Sequence, residues 1–252
     1  MSVRAWTGVG PALLSALDAT IDPGADRAPE RGGGGGMGAD ILPGSLPMEL
    51  RRATRDLHAA AEAHRGHAAL LTGSAPMAMY LDQSAQTWLV QRAMDMALTA
   101  QRTHPQLAAL VRDYHLRSEP LEAALRGSGR DPSAVVPLAS TRGFLGTIEA
   151  GGGNAAMLIG ILYVLEDSTN GGRLIGQVIK RAYGLADDTA VRWLNPHGAA
   201  QPERWRLFRE ALADLALSPE QHATVTRAAR GTFSWAIGVL DELCVIHGVR
   251  SA

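Results

Sequence analysis

The run Leu50-Arg-Arg-Ala-Thr-Arg-Asp-Leu-His58 carries the first residues whose types and spacing could do chemistry. At the helical rotation of about 100° per residue, Arg51, Arg55 and His58 fall within roughly 60° of one another. An apolar stripe of Leu46, Leu50, Ala53, Leu57 and Ala61 runs beside them at spacings of three and four. A helix built this way presses its leucines into a core while an imidazole and two guanidinium groups line the adjacent crevice.

A neutral imidazole nitrogen can hold iron, and guanidinium groups can meet carboxylates, so haem with its propionates is one ligand that suits the stripe. On spacing alone the same three residues also fit a solvated helix flank. His64 and His67, a turn or two further on, carry no second mark and read as exposed.

A second feature lies far along the chain, in Leu162-Tyr-Val-Leu-Glu-Asp-Ser-Thr-Asn-Gly-Gly-Arg173. An apolar helix runs into Gly171 and Gly172, then resumes with Leu174, Ile175, Val178 and Ile179. Glycine inside a helix costs about 1 kcal/mol relative to alanine. Two together, with Gly176 a turn later, predict a kink or a backbone that something approaches closely. Either a flat ligand or a tightly packed neighbouring helix would account for them. The polar run Asp167-Ser168-Thr169-Asn170 just before them favours a ligand.

The elements that must position these groups read as helices throughout. Helices are expected from Leu46, from Pro76 to about Arg102, from Pro105 to about Arg126, and between Pro137 and Glu149. A long kinked segment should span Asn154 to Tyr183, followed by Pro202 to Leu217 and Ser218 to His247. Ser218-Pro-Glu-Gln221 is a good helix start, with serine as cap and Gln221 at the capping-box position. No alternating β-branched run is bounded by hairpin turns. The expectation is an all-α fold in a single domain over 47–252. Residues 1–46 are rich in glycine and proline and read as a disordered tail, with a short helix around Pro11 to Ala19.

Composition narrows the class. The chain has 252 residues, 46% of them apolar and 19% charged, enough for a sizeable core. A net charge of -1 gives no reason to expect a nucleic acid or an anionic membrane as partner. No stretch approaches the roughly 20 apolar residues of a membrane span, and no signal peptide is evident. The single cysteine, Cys244, excludes an intrachain disulfide and suits the cytoplasm.

Three segments, in order, resemble the haem oxygenase family, and its bacterial branch in particular. They are Leu50 to His58, Tyr163-Val-Leu-Glu-Asp-Ser-Thr-Asn-Gly-Gly172, and Leu207-Phe-Arg209 through Leu217-Ser-Pro219 to Thr232-Phe233. The resemblance spans about residues 47 to 249. It implies a haem oxygenase-like helical bundle with His58 as the proximal iron ligand. It places Arg51, Arg55 and Arg209 near the haem propionates and Phe233 near the distal pocket. Asp167, Ser168, Gly171 and Gly172 would form the catalytic distal segment. Haem would be both substrate and cofactor. With O2 and electrons from a ferredoxin or a reductase, such proteins release biliverdin, carbon monoxide and ferrous iron.

One position departs from the pattern. Where Asp167 stands the family has glycine, so here a carboxylate enters or borders the distal pocket. It could organise water, ligate iron, or mark a protein that binds haem or a bilin without cleaving it. Asn170 likewise replaces a leucine common in bacterial relatives. Other enzymes of related helical architecture fit less well. A di-iron oxidase would need paired Glu-x-x-His motifs, and Glu62-Ala63-His64 has the wrong spacing. A thiaminase-like hydrolase would need a nucleophilic cysteine, and Cys244 lies among apolar residues. His104, His115, His197, His222 and His247 share no metal-ligand spacing. Trp88, Trp193, Trp205 and Trp235 read as core or rim. Lys180 and Arg181 read as a solvated helix face.

Overall fold

The computed structural model describes residues 44–250. The expected tail and its short helix lie outside these residues. Ten α-helices and no strand occur among the described residues: α1 (Leu46–Glu62), α2 (Arg65–Thr72), α3 (Met77–Ala100), α4 (Pro105–Leu110), α5 (Ser118–Gly127), α6 (Ala139–Gly151), α7 (Ala155–Asp167), α8 (Gly172–Ala182), α9 (Gln201–Ala213) and α10 (Pro219–Ile246). The all-α expectation therefore holds.

The centre of the bundle is α7, capped by the Asn154 side chain, which accepts a hydrogen bond from the Met157 amide. Its residues from Leu158 to Glu166 are all buried, which is why the sequence there shows no amphipathic period. Burial of each such large apolar side chain contributes about 1.5–3 kcal/mol. The long helix α10 packs along α7 and α1. At Gly160 the two backbones touch, and a Cβ added there would overlap the carbonyl oxygen of Val225. The start of α10 is the expected capping box. Ser218 N–H donates to Gln221 Oε1 at 2.8 Å, and Gln221 N–H donates back to Ser218 Oγ at 3.3 Å.

Helix α1 starts with Pro47 in its first turn and buries Leu46 and Leu50, while Leu57 and Ala61 pack against the core edge. Thr54 is buried too, its hydroxyl donating to the Leu50 carbonyl at 2.8 Å. The expected single helix from Pro105 to Arg126 is instead α4, a 3-10 turn at Asp113–His115, and α5. The break is made by His115, whose side chain turns inward and is 1% exposed. Its Nδ1 accepts from the Arg112 amide at 2.9 Å, a bond that a continuous helix would not leave available. Pro120, in the first turn of α5, marks the break in the sequence as well, because inside a continuous helix it would have no amide to donate and would crowd the preceding turn. The long segment after Asn154 does divide at its glycines, into α7 and α8.

Candidate functional site

Between α1, α3, α10 and the α7–α8 kink lies a cavity of about 270 Å³. It sits just below the usual range for small-molecule sites, roughly 300–1,000 Å³. Its walls are largely apolar, from Leu70 and Leu71 on α2, Val164 and Leu165 on α7, and Phe233, Val239 and Leu240 on α10.

His58 lines this cavity from α1. Its Nδ1 lies 3.5 Å from Oε2 of Glu62, one helical turn on. A carboxylate on that side favours the tautomer with hydrogen on Nδ1 and makes Nε2 the metal-binding nitrogen. Phe233 meets the imidazole edge-on, with ring centroids 5.5 Å apart and planes at 70°. The two therefore fix the ring from adjacent helices.

Asp167 and Ser168 line the cavity from the end of α7. Burial raises the Asp167 carboxyl above the ordinary carboxylate range, against the attraction of His58 and a hydrogen bond from Asn170. His58 and Asp167 line the same cavity. Ser168 Oγ donates to the Leu165 carbonyl at 2.8 Å, which ties the kink to the last turn of α7.

The glycines of the kink have a packing role. Gly171 caps α8. A Cβ on Gly172 would overlap the carbonyl oxygen of Leu194, in the segment 184–200 that covers this side of the bundle. Gly172 is thus explained by close contact with protein backbone. The covering segment is also held by Tyr80, whose hydroxyl donates to the Ala190 carbonyl at 2.8 Å and accepts from Trp193 Nε1 at 3.1 Å.

The three arginines singled out in the sequence lie outside the cavity lining. Arg51 and Arg209 are close enough to Tyr163 to counter part of the upward push that burial and Asp167 give its hydroxyl. Arg209 lies over the Trp205 ring at 5.6 Å. Arg55 is exposed on α1, one turn before His58.

Several residues that the sequence did not single out enter the site. His67, read as exposed, lines the cavity on α2, and burial lowers its pKa against the pull of Glu62. His64 instead caps α2, accepting from the Gly66 amide at 3.0 Å. Gln83, Thr87 and Gln91 line the cavity from successive turns of α3. That i, i+4, i+8 stripe was legible, but helices of this length usually turn such a stripe to water.

Behind the kink, Glu166 gathers groups from two distant segments. Arg117 Nη2 lies 3.1 Å from Oε1, His197 Nε2 lies 3.1 Å from Oε2, and His115 Nε2 lies 4.0 Å from Oε2. Burial pushes the Glu166 carboxyl up, yet Arg117 and His197 outweigh it and hold the group below its ordinary range. The cluster does not favour a metal. His115 Nδ1 accepts from a backbone amide and His197 Nδ1 from Arg204, so both Nε2 atoms carry hydrogen. No group of three or more metal-ligating side chains occurs among the described residues.

An imidazole with a carboxylate on its Nδ1 at the edge of an apolar slot fits haem by the chemistry of the donor set. The α7–α8 kink lines the same cavity as the histidine.

Comparisons with known proteins agree. The family profile described as Heme oxygenase matches residues 45–242. A heme oxygenase of Takifugu rubripes is 23% identical over 205 residues, covering 79% of this chain and 74% of its own. The fold is similar to that of Synechocystis heme oxygenase-1, solved in complex with heme, with a TM-score of 0.74 at 19% identity, over 81% of this chain and 96% of that one. It is also similar to heme oxygenase from Leptospira interrogans, with a TM-score of 0.73 at 19% identity, over 79% and 99%. With the profile running from the start of α1 into the last turns of α10, this chain belongs to the haem oxygenase family.

Proposed function

We propose that this chain binds haem between α1 and the α7–α8 kink and opens the macrocycle to biliverdin, carbon monoxide and ferrous iron. O2 and electrons from a ferredoxin or a reductase would complete the reaction. The observation that carries this reading is His58, backed by Glu62 at 3.5 Å and lining the same cavity as Asp167.

In this reading His58 Nε2 would hold the iron, and Glu62 would keep the imidazole oriented and electron-rich. Phe233 buttresses the ring. Arg51, Arg55 and Arg209 would meet the propionates. Ser168, Gly171 and Gly172 shape the kink, and Asp167 supplies a carboxylate on the far side. The haem brings the redox chemistry when bound, while the protein orients it and keeps bulk water out. The domain doing this work is the helical region 47–252. One buried cysteine, and the absence of a membrane-crossing helix among the described residues, suit the cytoplasm.

A second reading is favoured by Asp167: a protein that holds haem or a bilin without cleaving it. Haem, a reductant and air, followed optically, separate the two. A Soret band that decays into a bilin spectrum supports catalysis, and a stable Soret band supports binding alone. No Soret band, or one unchanged in His58→Ala, overturns the iron-ligand assignment.

A further inference from the structure

Two successive carboxylates end α7, and they are treated differently. Glu166 has Arg117 and His197 within 3.1 Å. Asp167 is partly exposed, to the cavity, and forms no ion pair within 4.0 Å among the described residues. The side-chain hydrogen bond it accepts, from Asn170 Nδ2, is long at 3.4 Å. A carboxylate taken out of water needs compensation by a cation or by good hydrogen bonds. Asp167 has neither in full measure, and it faces the same cavity as His58.

We propose that, in the ferric haem-loaded protein, a carboxylate oxygen of Asp167 occupies the iron coordination position opposite His58. The inference rests on the haem-binding reading above. Ferric iron is a hard cation, and an anionic oxygen is a matching donor. The iron would supply a positive charge in direct contact, where His58 and Arg51 act on Asp167 only from a distance. The register is fixed by the neighbouring residue. A helix turns about 100° per residue, so anchoring Glu166 on one side of α7 aims Asp167 to another. The kink is anchored as well, through Thr169, whose hydroxyl donates to the Glu166 carbonyl at 2.7 Å and accepts from Gln201 Nε2 at 2.7 Å.

The consequence is a resting state in which the protein fills both axial positions. Small anions and water must then displace a protein ligand to reach the iron, and the ferric form is favoured over the ferrous.

The test uses the full chain reconstituted with ferric haem, as wild type, Asp167→Gly, Asp167→Asn and His58→Ala. Asp167→Asn keeps the volume of the side chain and guards against a folding failure in the glycine variant. Azide should bind at least about tenfold more tightly to both Asp167 variants than to wild type, equivalent to about 1.4 kcal/mol. The ferric electron paramagnetic resonance signal should change in both, and their midpoint potentials should rise. Equal azide affinity and an unchanged ferric signal in wild type and both variants would overturn the proposal. Failure of wild type to take up haem, or uptake with an unaltered spectrum in His58→Ala, would instead overturn the haem reading beneath it.

Discussion

Glu166 Oε2 accepts a hydrogen bond from His197 Nε2 across 3.1 Å in the interior, joining the end of α7 to the segment that covers it. Arg117, on the opposite side, places its guanidinium 3.1 Å from the other oxygen. Removing the carboxylate would leave Arg117 largely buried without its anion. Glu166→Ala should therefore lose about 3–5 kcal/mol of stability, the range for breaking a buried pair by deleting one partner. Glu166→Gln should lose less, because the amide oxygen can still accept from His197. Urea unfolding at pH 7 measures both, and a loss below about 1 kcal/mol in Glu166→Ala would show that the cluster is not what holds this region.

Acid should weaken the fold through His115. Burial lowers its pKa from 6.5 to about 4, against the attraction of Glu166. The unfolded chain thus takes up a proton near pH 6.5 that the folded chain takes up only near pH 4. Between those values the unfolded state binds more protons, so stability falls as the pH drops. The loss from this residue is on the order of 3 kcal/mol across the window, and it levels off below pH 4. His67, also lowered by burial, adds to the loss in the same direction. His115→Gln should show a shallower decline in unfolding free energy between pH 7 and pH 4.5. An unchanged slope would remove His115 from the account.

Gly172→Ala tests the packing role of the kink. The added methyl group overlaps the Leu194 carbonyl, and backbone on both sides leaves no flexible side chain to yield. A destabilisation of about 1–3 kcal/mol is expected, typical of overpacking. Gly176→Ala is the control, since its Cβ would meet Val191 at an ordinary 3.6 Å. Thermal unfolding of the two variants should separate them clearly, and equal melting temperatures would contradict the contact.

Glu62→Gln tests the support of the imidazole. Outer partners of a ligating histidine are typically worth 10–100-fold in metal affinity. Haem affinity should fall within that range while apo-protein stability changes little, because Glu62 is only partly buried. A haem affinity equal to wild type would show that the 3.5 Å contact does not act on the ligand nitrogen.

The sequence made much of this legible, for identifiable reasons. The α1 stripe, the Ser218 capping box and the division at Gly171–Gly172 are written in local spacing, and each appears where that spacing puts it. The break after α4 was only half legible: Pro120 opposes a continuous helix there, but the inward turn of His115 carries no local mark. The Glu166 cluster was hidden for a related reason. Its members lie at positions 115, 117, 166 and 197, and only the fold brings them together. Gly172 illustrates a third case: its presence signalled a close approach, but sequence could not say that the approaching group is the backbone at Leu194.

The meeting of α7 and α10 at Gly160 bears on how the bundle can breathe. With the Val225 carbonyl lodged where a side chain would stand, neither helix can slide along the other without a collision. That pair therefore acts as the fixed jaw of a clamp. In the haem-binding reading, the travel needed to admit a flat ligand into about 270 Å³ would fall to α1 and to the kink with its cover.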